Sequence, residues 1–184
     1  MKELLITDLD GTLLDSNGKL SDISAEIINQ FISTGGAFTF ATARTASSAV
    51  KITEKININT PCILMNGVSI YDIQKKKYIK NEYINNGTAV TVAAIFKQCN
   101  IKPFMYKIKN NRLFALYTGF ENKQMYEFFL LRRDKYDKPF IKCSDFACEA
   151  DESVVYFTTL GEYESLAPVK SRLDKIDNTN PRQI

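Results

Sequence analysis

Short apolar runs alternate with amphipathic segments over the first third of the chain. Residues 3–8 and 37–42 are predicted strands, and the apolar residues 62–66, directly after Pro61, are a third. The segments between them have helical periodicity. Strands and helices that alternate at this spacing form βαβ units, so we predict a parallel sheet of the α/β class.

Two helices are predicted between these strands. Ser21 is the expected N-cap of the first helix, which Gly35 and Gly36 should close. The second helix is predicted over residues 45–57. The apolar face of the first helix is expected to consist of residues at helical spacing: Ile23, Ile27, Ile28, Phe31 and Ile32.

The pattern changes after Asn66 and Gly67. Residues 68–81 predict an antiparallel hairpin, with a solvated turn at the three lysines 75–77. The remaining chain predicts a separate α+β module, so we expect domains at 1–81 and 82–184. The module should contain helices near 87–98, 121–135 and 162–175, strands near 102–108, 112–118 and 153–159, and core aromatics at Phe128, Phe129, Tyr156 and Phe157.

Composition narrows the functional classes. The chain of 184 residues has 24 Lys+Arg and 21 Asp+Glu, a net charge of +3, which is too small to indicate a nucleic-acid partner. No apolar run approaches the roughly 18 residues that a membrane span needs. The first residues carry neither the apolar region nor the cleavage site of a signal peptide. We therefore expect a cytoplasmic protein that binds neither nucleic acid nor membrane.

The sequence has no histidine, and its four cysteines form no CxxC pair. Histidine-dependent triads and HExxH metal sites are therefore excluded, and the cysteine spacing does not indicate a zinc site or a disulfide scaffold. If the protein is an enzyme, carboxylates, hydroxyls, lysines or a hard metal ion must perform the chemistry.

Candidate chemistry is concentrated directly after the first strand. Asp8 and Asp10 flank Leu9, and Gly11 and Thr12 follow. At the carboxyl end of a parallel strand, two such carboxylates can reach one hard cation such as Mg²⁺, and Gly11 allows a sharp turn whose amides face an anion. Aspartates also cap turns without any catalytic role, but an apolar strand running into Asp-x-Asp-Gly-Thr favours catalysis.

This segment resembles the first signature motif of the haloacid-dehalogenase-like superfamily. Residues 38–44, ending in Thr42-Ala43-Arg44, resemble the Thr-Gly-Arg form of the second motif in the Cof-like phosphatase branch, with Ala43 in place of glycine. Residues 65–72 resemble the Asn-Gly-Ala segment of that branch. The resemblance implies a partial Rossmann-like core with an inserted α+β cap domain over residues 82–184.

The resemblance also implies a mechanism. Asp8 would be the nucleophile that forms an aspartyl-phosphate, and Asp10 the general acid and base. A carboxylate oxygen of Asp8 and the backbone carbonyl of Asp10 would hold Mg²⁺. Phosphate contacts would come from Leu9, Gly11, Thr42, Ala43 and Arg44. Two of these residues also have a purely structural interpretation, Thr42 as a helix cap and Arg44 as a surface arginine. Asn66 is a weaker candidate, which is better interpreted as a turn residue. The expected substrate is a small phosphate ester, most simply a sugar phosphate.

The third and fourth motifs of the superfamily, a lysine and an acidic pair, have no match in this sequence. We therefore expect the chain to be the N-terminal part of a longer phosphatase, and to hydrolyse p-nitrophenyl phosphate slowly or not at all. We also expect the first strand to form an open sheet edge, so that the chain either self-associates through it or needs the missing part.

Three alternatives share parts of this pattern. A phosphomutase of the same superfamily has the same first motif. A non-catalytic phosphate-binding or regulatory module would explain the unmatched motifs. A receiver-type signalling domain is disfavoured, because its acceptor aspartate at the end of the third strand is here Asn66.

Overall fold

The computed structural model describes residues 3–177, and the chain divides after Glu82 into two compact units. Every helix within residues 3–177 is too short or too polar to span a lipid bilayer. The cytoplasmic location expected from the sequence stays a prediction. The first unit contains β1 (Leu4–Thr7), α1 (Asp22–Ser33), β2 (Ala37–Phe40), α2 (Ala46–Ile52), β3 (Cys62–Leu64), β4 (Ser69–Asp72) and β5 (Lys77–Asn81).

The predicted parallel sheet is confirmed in this unit. β1 and β2 pair in parallel from Leu4 opposite Ala37 to Thr7 opposite Phe40. A parallel bridge between Ala41 and Ile63 then places β3 beside β2. β3, β4 and β5 continue as an antiparallel sheet, which confirms the predicted hairpin. The carboxyl ends of β1, β2 and β3 therefore meet at one edge.

The prediction for α1 is confirmed at its N-terminus, where the Ser21 side chain accepts a hydrogen bond from Ser24 N at 3.0 Å. The predicted apolar face is only partly buried. Ile28 lies in the core, whereas Ile23 and Ile27 are exposed. Periodicity identifies an apolar face but does not identify what covers it.

The prediction of a helix over residues 45–57 is wrong at its C-terminal end, because α2 stops at Ile52. The side chain of Asn29 explains the difference. Its amide nitrogen donates to Lys55 O at 2.8 Å, and its oxygen accepts from Asn57 N at 2.8 Å. These contacts hold the segment after α2 against α1, and this segment forms a turn in which Ile56 N donates to Thr53 O, so the helix does not continue.

The second unit is an α+β module around one sheet with strand order β8-β7-β6-β9. The predicted helices and strands are confirmed within a few residues. A short strand and a short helix at 140–149 were not predicted, because elements of three and four residues carry no measurable periodicity. The elements are α3 (Asn86–Gln98), β6 (Phe104–Lys109), β7 (Arg112–Tyr117), α4 (Lys123–Tyr136), β8 (Phe140–Lys142), α5 (Phe146–Glu149), β9 (Val154–Thr158) and α6 (Tyr163–Asp177).

Both faces of this sheet are covered by helices. Met105 packs with Ala89 of α3 and Phe146 of α5 on one face. On the other face, the ring of Phe104 lies 5.7 Å from that of Phe128 on α4. Of the aromatic residues predicted to be core, Phe129 is buried and the others are partly buried.

Candidate active site

A cavity of about 440 Å³ lies in the first unit at the carboxyl ends of β1, β2 and β3. Ligands bind at this edge in open α/β sheets, because the loops that follow the strands converge there. The cavity brings together residues that are up to 59 positions apart in the sequence. Its lining consists of Asp8, Asp10, Ala41, Thr42, Ala43, Ile63, Asn66 and Gly67.

Asp8 stands at the end of β1, with its side chain exposed to solvent. One carboxylate oxygen accepts a hydrogen bond from Leu9 N at 2.7 Å, which fixes the side chain at the mouth of the cavity. Leu9 is fully buried and anchors the loop. Gly11 has φ of +75°, a conformation that a residue with a Cβ adopts only with strain. Neither Leu9 nor Gly11 belongs to the cavity lining.

Asp10 forms a bidentate ion pair with Arg44. Arg44 Nε donates to one carboxylate oxygen at 2.7 Å, and its terminal nitrogen donates to the other at 2.6 Å. The Arg44 side chain is 13% exposed and that of Asp10 is 52% exposed, so the pair is partly shielded from water. Arg44 therefore contacts a predicted site residue, but it does so beside the cavity rather than in its lining.

Thr42 is buried two residues after the end of β2, where its hydroxyl oxygen accepts a hydrogen bond from Arg44 N at 3.2 Å. The hydroxyl hydrogen remains available to donate into the cavity. Ala43 lies in the lining and does not have positive φ. The alanine in place of the usual glycine therefore costs the loop no backbone strain.

Asn66 is a turn residue, as predicted, and it also lines the cavity. Its φ of +56° makes it a turn residue in the left-handed region, which asparagine tolerates well. This position lies two residues after β3, at the strand end where the cavity lies. Three lining residues were not predicted: Ala41, Ile63 and Gly67. Their only signal in the sequence is that they lie within a few residues of the ends of β2 and β3.

The donor set suits a hard cation better than a soft one. The resemblance implies the Asp8 carboxylate and the backbone carbonyl of Asp10 as ligands, and both residues line the cavity. Mg²⁺ is commonly held in this way, by one or two protein oxygens together with water and substrate oxygens. Within residues 3–177 no cluster of three or more acidic or cysteine side chains forms a complete metal cage. Burial raises the pKa of Cys62 to about 12, so this thiol is not a nucleophile.

Comparison with known proteins decides the family. Residues 5–180 match the family model of the haloacid dehalogenase-like hydrolases. The chain belongs to this family. This match confirms the resemblance inferred from residues 4–14. The first motif, on which that resemblance rests, lies beside the cavity at the end of β1.

Individual relatives agree with this assignment. A candidate phosphatase of Buchnera aphidicola (subsp. Baizongia pistaciae) is 28% identical over 157 residues, which cover 79% of this chain and 57% of the relative. A haloacid dehalogenase-like hydrolase from Bacteroides thetaiotaomicron has the same fold, with a TM-score of 0.75, 19% identity and coverage of 94% and 63%. A subclass IIB sugar phosphatase has a TM-score of 0.61, 17% identity and coverage of 92% and 63%. The chain thus spans less than two thirds of the length of each.

Proposed function

We propose that this hydrolase is a Mg²⁺-dependent phosphatase of small phosphorylated metabolites, with sugar phosphates as the substrate class. The observation that carries the proposal is the convergence of Asp8, Asp10 and Thr42 on one solvent-accessible cavity at the strand ends. The sugar phosphatase with the same fold supports the choice of substrate. The Buchnera relative supports phosphate-ester hydrolysis.

In this proposal Asp8 attacks phosphorus through a carboxylate oxygen and forms an aspartyl-phosphate as the alkoxide leaves. Asp10 donates a proton to the leaving oxygen and then removes one from the water that hydrolyses the intermediate. Thr42 donates its hydroxyl hydrogen to a phosphoryl oxygen. Bound Mg²⁺, held by the Asp8 carboxylate and by Asp10, would offset the repulsion between the phosphate and the nucleophile.

Hydrolysis of a panel of phosphate esters by the natural polypeptide that contains this sequence tests the proposal. We expect sugar phosphates to be hydrolysed faster than nucleoside monophosphates, and a chelator to stop turnover until Mg²⁺ is added back. Adding CaCl₂ instead of Mg²⁺ controls for the charge of the cation. Ca²⁺ should not restore turnover, because it is larger than Mg²⁺ and does not adopt the same compact octahedral coordination. Turnover that persists in the chelator would contradict the proposal.

The ion pair between Arg44 and Asp10 gives a second prediction. Because Arg44 holds both oxygens of Asp10, we infer that it positions this carboxylate for proton transfer. Arg44→Ala should lower kcat by about 100-fold with a smaller change in KM, since misplacing a catalytic group by about 1 Å has an effect of this size. Arg44→Lys should restore only part of the loss, because lysine lacks the bidentate fork.

Arg112→Ala is the matched control, since it removes an exposed guanidinium from β7. Its kcat should equal that of the unmodified protein. An Arg44→Ala variant that raised KM and left kcat unchanged would assign Arg44 to substrate binding instead.

A further inference from the structure

The second unit buries a lysine that the proposed hydrolysis does not use. Lys138 lies between α4 and β8 and is only 4% exposed. Its Nζ is 4.9 Å from the centre of the ring of Tyr106, which is itself buried. Tyr106 belongs to β6, an inner strand with β7 on one side and β9 on the other. The amine is therefore enclosed by residues of this unit beside an inner strand, rather than at an open edge of the sheet.

The positive charge of Lys138 is poorly compensated. An aromatic ring attracts a cation less strongly than a carboxylate does, and no carboxylate within residues 3–177 forms an ion pair with this amine. Burial and, to a smaller extent, the guanidinium of Arg132 lower the pKa of Lys138 to about 7. A lysine becomes an uncharged nucleophile when it is desolvated or lies beside another cation, and Lys138 meets both conditions.

Arg132 supplies the cation beside this amine. Its guanidinium packs on the rings of Phe128 and Tyr136, whose centres lie 4.9 Å and 5.5 Å from Cζ. Its charge acts on Lys138 and on the hydroxyl of Tyr106, so these three side chains form one cluster. Burial raises the pKa of that hydroxyl, which therefore keeps its proton. An anion formed at the Lys138 amine would turn a repulsion between two cations into an attraction.

We propose that Lys138 is a modification site, at which the amine adds carbon dioxide and forms a carbamate that pairs with Arg132. The nitrogen lone pair attacks the carbon of CO₂, one C=O π pair moves to oxygen, and one N–H proton leaves to water. The products are the carbamate anion and a proton, and no oxidant or reductant is needed. Burial selects this electrophile, because CO₂ is small and uncharged and can reach an enclosed amine through local opening, whereas acyl phosphates and thioesters are bulky.

The test is to trap the carbamate on the natural polypeptide that contains this sequence. The protein would be equilibrated with isotope-labelled bicarbonate at neutral pH, treated with a trialkyloxonium reagent that converts carbamates into stable esters, and mapped by peptide mass spectrometry. We expect the label on Lys138 at an occupancy at least ~10-fold above that of Lys142, because an ordinary exposed lysine is almost entirely charged at this pH. Lys142, exposed on β8, is thus an internal control. Equal label on both lysines, or none on Lys138, would overturn the proposal.

The folding equilibrium provides a second readout. A carbamate that forms only in the folded state should raise the denaturation midpoint of the second unit in bicarbonate, compared with sodium chloride at equal pH and ionic strength. Lys138→Met should remove this difference. A midpoint of the unmodified protein that bicarbonate does not shift would contradict a carbamate at this position.

The role of Arg132 is tested by its own variant. Arg132→Met should lower the occupancy of the carbamate by at least ~10-fold, because the carbamate would then be a buried charge without a partner. Arg133→Met, which removes an exposed guanidinium from the same helix, is the matched control and should keep the occupancy. An unchanged occupancy in Arg132→Met would overturn the pairing. If circular dichroism shows that this variant does not fold, the adduct and the bicarbonate effect in the unmodified protein decide the proposal.

Discussion

Asp8→Asn is expected to lower kcat for phosphate-ester hydrolysis by ~10⁴-fold or more, which is the scale seen when a covalent nucleophile is removed. The amide has nearly the same shape as the carboxylate, but it cannot form the aspartyl-phosphate. Its oxygen can still accept the hydrogen bond that Asp8 receives from Leu9 N, so the loop should keep its conformation. The measurement is steady-state kinetics of the natural polypeptide with a saturating sugar phosphate and Mg²⁺.

Asp22→Asn is the matched control for this variant. Asp22 is an exposed carboxylate in the first turn of α1, where it forms an ion pair with Lys55. Because exposed ion pairs contribute little to stability, this change should leave both the fold and kcat unaltered. An Asp8→Asn protein that retained more than a tenth of the normal kcat would remove Asp8 from the role of nucleophile.

The stability of the second unit is expected to increase by ~1.5 kcal/mol between pH 7 and pH 8.5. The increase comes from Lys138, which is only 4% exposed. Its Nζ lies 4.9 Å from the centre of the Tyr106 ring. Burial, and to a smaller extent the charge of Arg132, lower the pKa of Lys138 from 10.5 to about 7. Above pH 7 the folded state releases this proton while the unfolded state keeps it, so folding becomes more favourable as the pH rises.

The predicted rise is limited to pH 7–8.5, because a partly buried thiol of the same unit has the opposite effect at higher pH. Burial raises the pKa of Cys143, so above the ordinary pKa of a thiol the unfolded state ionises first and folding becomes less favourable. Lys138→Met should abolish the rise between pH 7 and 8.5 and should stabilise the second unit at pH 7 by ~3 kcal/mol. Denaturant unfolding at several pH values provides the measurement.

Lys142→Met is the control for the lysine prediction. Lys142 is exposed on β8, so replacing it should leave the pH dependence in place. A Lys138→Met protein with an unchanged pH profile would show that another group is responsible.

Local signals were sufficient for much of the fold and for the position of the cavity. The apolar strand before Asp8, the Ser21 cap and the alternation of strands with helices all depend on residues close together in sequence. The parallel arrangement then brings the residues after β1, β2 and β3 to one edge without further information. This is why Asp8, Asp10 and Thr42 could be expected together.

The remaining features depend on contacts that no local pattern contains. Asn29, on α1, binds the segment that follows α2, and Arg44 pairs with Asp10, which is 34 positions away in the sequence. The apolar periodicity of α1 does not predict that Ile28 is buried and Ile27 exposed, because burial depends on which element packs against each position. Long-range partners of this kind become apparent only in three dimensions.

The most direct test of the proposed chemistry is to trap the phosphoryl group on the protein. The natural polypeptide would be mixed with Mg²⁺ and a sugar phosphate, quenched in acid and examined by peptide mass spectrometry. We predict one phosphoryl group on Asp8 in the unmodified protein and none in Asp8→Asn. A phosphoryl group on any other residue, or continued turnover without an adduct on Asp8, would contradict the mechanism.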